Sequence, residues 1–205
     1  MRFAWVWLAI ALCPLSAQDD RGYTFGTTVV DLSGFHGRVF DLKPGTQKLP
    51  KLDHLTPVGS VYTNALNVWP REFTEGFPNI TDRYEWFAIE YTGKFWIENE
   101  GEYRFSLLSD DGSKLKVDDK LVVNNDGVHV ALAISGAATL SRGVHEITVD
   151  YFQGPRFTVA LVLSVAPPGE GWRIFNMADF KPPKDPDEWH KGKISKIQKQ
   201  TFIRR

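Results

Sequence analysis

From Glu85 to Val165 the chain runs in short apolar stretches broken by turn residues roughly every eight to twelve positions, the spacing of an all-β domain. Tyr103, Phe105 and Leu107 alternate with Arg104 and Ser106, a period of two that buries one strand face. Phe87, Ile89 and Tyr91 do the same, as do Phe157, Val159, Leu161, Leu163 and Val165. The reading is a set of strands over Glu85–Tyr91, Phe95–Glu98, Val128–Ile134, Ala137–Leu140 and His145–Tyr151. Tight turns stand at Asp118-Asp119-Lys120 and Ser141-Arg142-Gly143. An aromatic content of 13%, with seven tryptophans, favours strands over a helical bundle. The expected class is all-β, an antiparallel β-sandwich or barrel.

Residues 1–17 read as a secretory signal. Arg2 supplies a positive start, Phe3 to Leu12 is an apolar run too short to span a bilayer comfortably, and Leu15-Ser16-Ala17 offers a small-residue cleavage site. The alternative is a buried N-terminal helix. Cys13 is the single cysteine, so cleavage at Ala17 leaves an exported chain built without disulfides and without a transmembrane anchor. Residues 18–180 form the β domain. Residues 181–205, with Pro182-Pro183 and repeated lysines, read as a basic tail outside the core. The formal net charge of −1 and the scarcity of aromatics in the tail argue against nucleic acid as a partner.

Within this pattern Ser109-Asp110-Asp111-Gly112-Ser113 is out of place, because adjacent carboxylates at a strand end repel each other. A hard cation such as calcium relieves that repulsion by taking several carboxylate and carbonyl oxygens at once. Farther on, Tyr151-Phe152-Gln153-Gly154-Pro155 adds an amide oxygen and a Gly-Pro corner. A plain Asp-Gly turn accounts for Asp111-Gly112 without metal but does not require Asp110. Gln153 reads equally as a solvated loop amide.

Asn124-Asn125-Asp126-Gly127 is a second cation loop or a turn, and the turn is preferred. His129 and His145 alternate with apolar residues and read as structural, since no nucleophile motif accompanies them. Glu98, Glu100 and Glu102 read as a charged strand end and not as a glycosidase pair. Trp69, Trp96 and Trp172 are candidates for stacking on sugar rings, although most tryptophans of a β domain are core.

Six fragments occur in a fixed order: Gly101 to Phe105, Ser109 to Leu115, Val117-Asp118, Asp126 to His129, Leu140 to His145, and Tyr151 to Gly154. Together they resemble the protective-antigen-type domain (the PA-fourteen family), over roughly Gly34 to Ser164. The resemblance implies a β-sandwich module found in secreted proteins, often binding carbohydrate. It implies calcium held by Asp110 and Asp111 across a cis peptide bond, with Gln153 as the later amide ligand and carbonyls near Gly154 and Pro155 completing the shell. The Asp118-Asp119-Lys120 turn departs from the family in lacking its usual glycine, and Asp119 is expected to adopt a positive φ there. The stretch from Gly34 to Pro70 is longer and more proline-rich than a minimal domain needs. The expectation is a secreted, periplasmic or cell-surface module, not an enzyme, whose partner is a glycan or polysaccharide. The alternative is a structural module that contacts a cell-envelope protein.

Overall fold

The computed structural model describes residues 24–155, 158–185 and 187. The signal read over residues 1–17 and most of the basic tail lie outside them. Among the described residues the strands are β1 (Phe35–Asp41), β2 (Gly59–Thr63), β3 (Asn67–Glu72), β4 (Phe87–Ile97), β5 (Gly101–Asp110), β6 (Ser113–Val117), β7 (Lys120–Asn125), β8 (Leu132–Leu140), β9 (Gly143–Gln153), β10 (Thr158–Ala166) and β11 (Arg173–Ile174). They form two antiparallel sheets. The first has the order β2-β1-β4-β9-β6-β7; the second has the order β11-β10-β5-β8, with β3 also on β10. The fold is the expected β-sandwich. No helix among the described residues is long and apolar enough to cross a membrane.

The alternating residues meet between the sheets. Phe87, Ile89 and Tyr91 of β4, Phe105 and Leu107 of β5, Val149 and Tyr151 of β9, and Leu161 and Leu163 of β10 share one buried cluster. Burying each such side chain contributes about 1.5–3 kcal/mol. A smaller apolar cluster lies outside the main core. Phe40, Leu42, Leu52, Ala88 and Phe152 form it, with Leu49 and Trp86 packed against it.

Two strands are longer than the sequence pattern indicates. The expected strands Glu85–Tyr91 and Phe95–Glu98 are one strand, β4, and the inward phase of Phe87 to Tyr91 continues through Gly93 to Phe95 and Ile97. Gly93 is not a break: a β-carbon there would lie 2.7 Å from Met177 Cε, so the glycine makes room for a core methionine. Likewise Val128 to Ala131 is loop, and the expected Ala137–Leu140 strand extends back to Leu132 through Gly136. Tyr23–Val30 contributes, among its described residues, a single bridge from Thr27 to Tyr62. The glycine-free turn holds Asp118 and Asp119 at φ 49° and 62°, so the positive φ expected of Asp119 extends to both.

The connectivity places three crossings between the sheets at one end. β5 passes to β6 through Asp111-Gly112, β7 to β8 through residues 126–131, and β9 leaves for β10 by way of Gly154 and Pro155 among the described residues. The pairings Asp110 with Ala160, Ser113 with Asn125 and Tyr151, and Ser109 with Leu132 bring all three together.

Gly136 marks how closely the sheets approach. A β-carbon there would collide with the Val122 carbonyl, which backbone cannot easily vacate. Gly136→Ala is therefore expected to cost about 1–3 kcal/mol of stability. Urea denaturation checks it; an unchanged midpoint would show that β7 and β8 can separate freely.

Candidate functional site

Asp110 closes β5 and Asp111 opens the first crossing; the peptide between them is cis. Both residues are nearly inaccessible, at 7% and 3% exposure. Asp111 Oδ1 accepts the His129 amide at 3.0 Å, and its Oδ2 accepts the Gly154 amide at 2.7 Å. Each of the other two crossings thus gives one backbone N–H to one carboxylate. Asp110 Oδ2 accepts the Thr158 hydroxyl at 2.7 Å, and the Ala131 amide also donates to this carboxylate.

Polar side chains tie the crossings together beneath the pair. Tyr151 Oη lies 2.7 Å from the Asp110 carbonyl oxygen and 2.8 Å from Gln153 Oε1, one proton serving both acceptors. Gln153 Nε2 donates to the carbonyls of Pro155 (3.1 Å) and Thr158 (3.0 Å). Asn125 Nδ2 donates to Ser109 Oγ and to the Leu132 carbonyl, both at 2.9 Å, and Ser109 Oγ lies 2.7 Å from Ser113 Oγ. The His129 ring nitrogens lie 2.9 Å and 3.0 Å from the carbonyl oxygens of Val130 and Asn125, which pins the loop that presents its amide.

The surroundings oppose two charges side by side. Burial pushes the Asp110 carboxyl above its ordinary value, against the pull of the Thr158 and Ala131 donors. Burial likewise raises Asp111, against the Gly154 and His129 amides, and the charge of Asp110 adds to the rise. The lysines near by are committed elsewhere: Lys114 reaches Asp126 at 2.7 Å and Lys116 reaches Asp150 at 3.1 Å. Among the described residues no cluster of three His, Cys, Asp or Glu side chains is present. A bound metal would therefore take its remaining oxygens from carbonyls, amides or water. Two buried carboxylates, held by backbone amides and the Thr158 hydroxyl, offer a hard, oxygen-only donor pair. It fits calcium and does not fit a soft metal.

The structure brings Asp110, Asp111, Gln153, Gly154 and Pro155 to one place. Asp111 and Gly154 touch directly, whereas the Gln153 amide is engaged behind the pair. The sequence reading missed Thr158 and gave Asn125, Tyr151 and His129 no part in holding the aspartate pair; their one shared signal is position, since each lies in or beside a crossing.

The other candidates have partners of their own. Asp126 holds Lys114, His145 Nδ1 lies 2.6 Å from Asp118 Oδ2, and Glu98 accepts from Arg142 and Trp96. Trp96 is buried, while Trp69 and Trp172 are about half exposed. A groove of about 810 Å³ lined by His36, Tyr62, Met177 and Phe180 shares no residue with the aspartate pair.

Tyr151→Phe leaves the Asp110 carbonyl and Gln153 Oε1 without their shared donor. A loss of about 1–3 kcal/mol is expected for the metal-free protein. Chemical denaturation reads it directly, and full retention of stability would mean that Tyr151 does not support the pair.

Residues 72–174 match the family model of the PA14 domain. No curated protein matches the sequence. Among solved structures, the chain is similar to the PA14 sugar-binding domain from an RTX adhesin, with 17% identity, 72% of this chain and 97% of that one covered, and a TM-score of 0.58. It is also similar to the epithelial adhesin 9 A domain from Candida glabrata in complex with Galb1-4GlcNAc, with 12% identity, coverage of 70% and 86%, and a TM-score of 0.51. An anti-sigma factor domain-containing protein matches with 18% identity over 75% of this chain and a TM-score of 0.56; the chain spans 48% of that protein's length. At these identities the likeness is one of fold.

Proposed function

The chain belongs to the PA14 domain family, and from that premise we propose that it is a non-catalytic carbohydrate-binding module whose Asp110–Asp111 pair holds calcium. The observation that carries this reading is the burial of two adjacent carboxylates with no lysine or arginine paired to them among the described residues. Amide and hydroxyl donors offset only part of the several kcal/mol that burying an unpaired charge costs, and a bound cation would offset the rest.

Asp110 and Asp111 would hold the ion. Gln153, Gly154 and Pro155 shape the wall beside it: Gly154 orients Asp111 through its amide, and Gln153 fixes the Pro155 and Thr158 carbonyls. Calcium, taking 6–8 oxygens, supplies open positions that vicinal sugar hydroxyls can occupy in place of water. A site that offers a sugar only one or two coordination positions binds single sugars weakly, at about −4 kcal/mol or millimolar affinity, and gains strength from many copies on a surface. The sugar-binding adhesin neighbour of the same fold supports a glycan as the partner. The signal read over residues 1–17 supports a secreted, periplasmic or cell-surface location.

Calcium is expected to raise the melting temperature of the protein, since a ligand that binds only the folded state stabilises it. Asp110→Asn combined with Asp111→Asn is expected to abolish that rise. On a glycan array, binding is expected with calcium and not with chelator. A melting curve unmoved up to millimolar calcium would refute the metal, and calcium binding without any glycan would favour the structural module.

A further inference from the structure

The two amides that hold Asp111 are each tied to the same outside segment. Leu42 donates its amide to the Trp86 carbonyl at 2.7 Å. Trp86 in turn donates its own to the Gly154 carbonyl at 3.2 Å, and Gly154 gives its N–H to Asp111 Oδ2. On the other side the Leu49 amide donates to Asp126 Oδ1 at 2.8 Å, in the loop whose His129 amide reaches Asp111 Oδ1. Two relays thus leave residues 42–49 and end on the two oxygens of one carboxylate.

This segment has an apolar anchor of its own. Leu42 and Leu52 are buried with Phe40, Ala88 and Phe152, and Leu49 and Trp86 pack against them. The Leu42 carbonyl also accepts Arg83 Nη1 at 2.9 Å. Trp86 sits at φ 56°, a conformation that bulky residues avoid and that persists only where surrounding contacts over-determine it. Ring packing and hydrogen bonds at both its amide and its carbonyl supply those contacts. Residues 42–54 lie outside the region matched to the PA14 domain, which begins at residue 72.

We infer that residues 42–54, docked on Trp86, are a brace that sets the geometry of the candidate calcium site, with Leu49 and Trp86 as the positioning residues. Crossing loops are by default the least stable parts of a sandwich. The brace fastens two of them to a second apolar cluster, so the Gly154 and His129 amides are held in place before any cation arrives. The inference rests on the calcium reading for its purpose, but its geometry stands without the ion.

The test is amide hydrogen exchange on the metal-free full chain, followed by calcium titration. Trp86→Gly keeps a residue suited to the left-handed conformation but removes the ring from the apolar cluster. It is expected to speed exchange at Gly154 at least tenfold while core amides such as Val149 stay protected. Leu49→Pro removes the donor to Asp126 and is expected to speed exchange at His129 and not at Gly154. Both variants are expected to weaken calcium binding about tenfold. Trp86→Phe, which keeps an aromatic ring, is expected to restore both the protection and the affinity. Unchanged exchange at Gly154 and His129 in the two disruptive variants overturns the brace. Failure of the unaltered protein to bind calcium overturns the metal reading instead, and the exchange pattern then still decides the brace.

Discussion

Two carboxylates that ought to repel each other are buried side by side, and the architecture around them is arranged to keep them there. Burial and mutual charge both oppose ionisation of Asp111, while backbone amides from two separate crossings favour it. That opposition requires the crossings after β7 and β9 to lie beside the crossing after β5. The sheet order provides this, because strands adjacent in each sheet change sheets at the same end. Ser109, Ser113 and Asn125 then fasten two crossings, and Tyr151 and Gln153 fasten the third.

The remainder of the sandwich acts as a rigid frame for this end. The main core fixes β5, β9 and β10, so the ends of those strands have little freedom. The smaller cluster around Phe40 and Phe152 extends the frame past the strand ends and onto the loops. A site held by backbone amides from loops needs such support, since its geometry is only as firm as the loops that present it.

Much of this is legible in the sequence, and the parts that are not have a common physical origin. The alternation at Tyr103 to Leu107 reports the sandwich, and the Asp-Asp-Gly turn marks the candidate site, because both are local patterns. Gly93 and Gly136 mislead: glycine punctuates most strands, but here each lies at an inward position where another chain segment, Met177 or the Val122 carbonyl, needs the space. Thr158 looks unremarkable, and Asn125 reads only as part of a turn, because their roles depend on which crossing lies opposite. Val128 to Ala131 reads as strand from its valines, yet the segment is loop, with His129 bonded to Asp111, Asn125 and Val130. The link from Leu42 through Trp86 to Gly154 joins residues far apart in the chain and leaves no periodic trace.

The proposal that the Asp110–Asp111 pair holds a cation can be tested at atomic detail. Diffraction from crystals soaked in calcium, with anomalous data to identify the ion, tests it most directly. A single ion bonded to oxygens of both Asp110 and Asp111 is expected, with Asp111 still accepting the Gly154 and His129 amides. An empty pair at millimolar calcium, or an ion bound elsewhere with the pair neutralised by a protein cation, would contradict it.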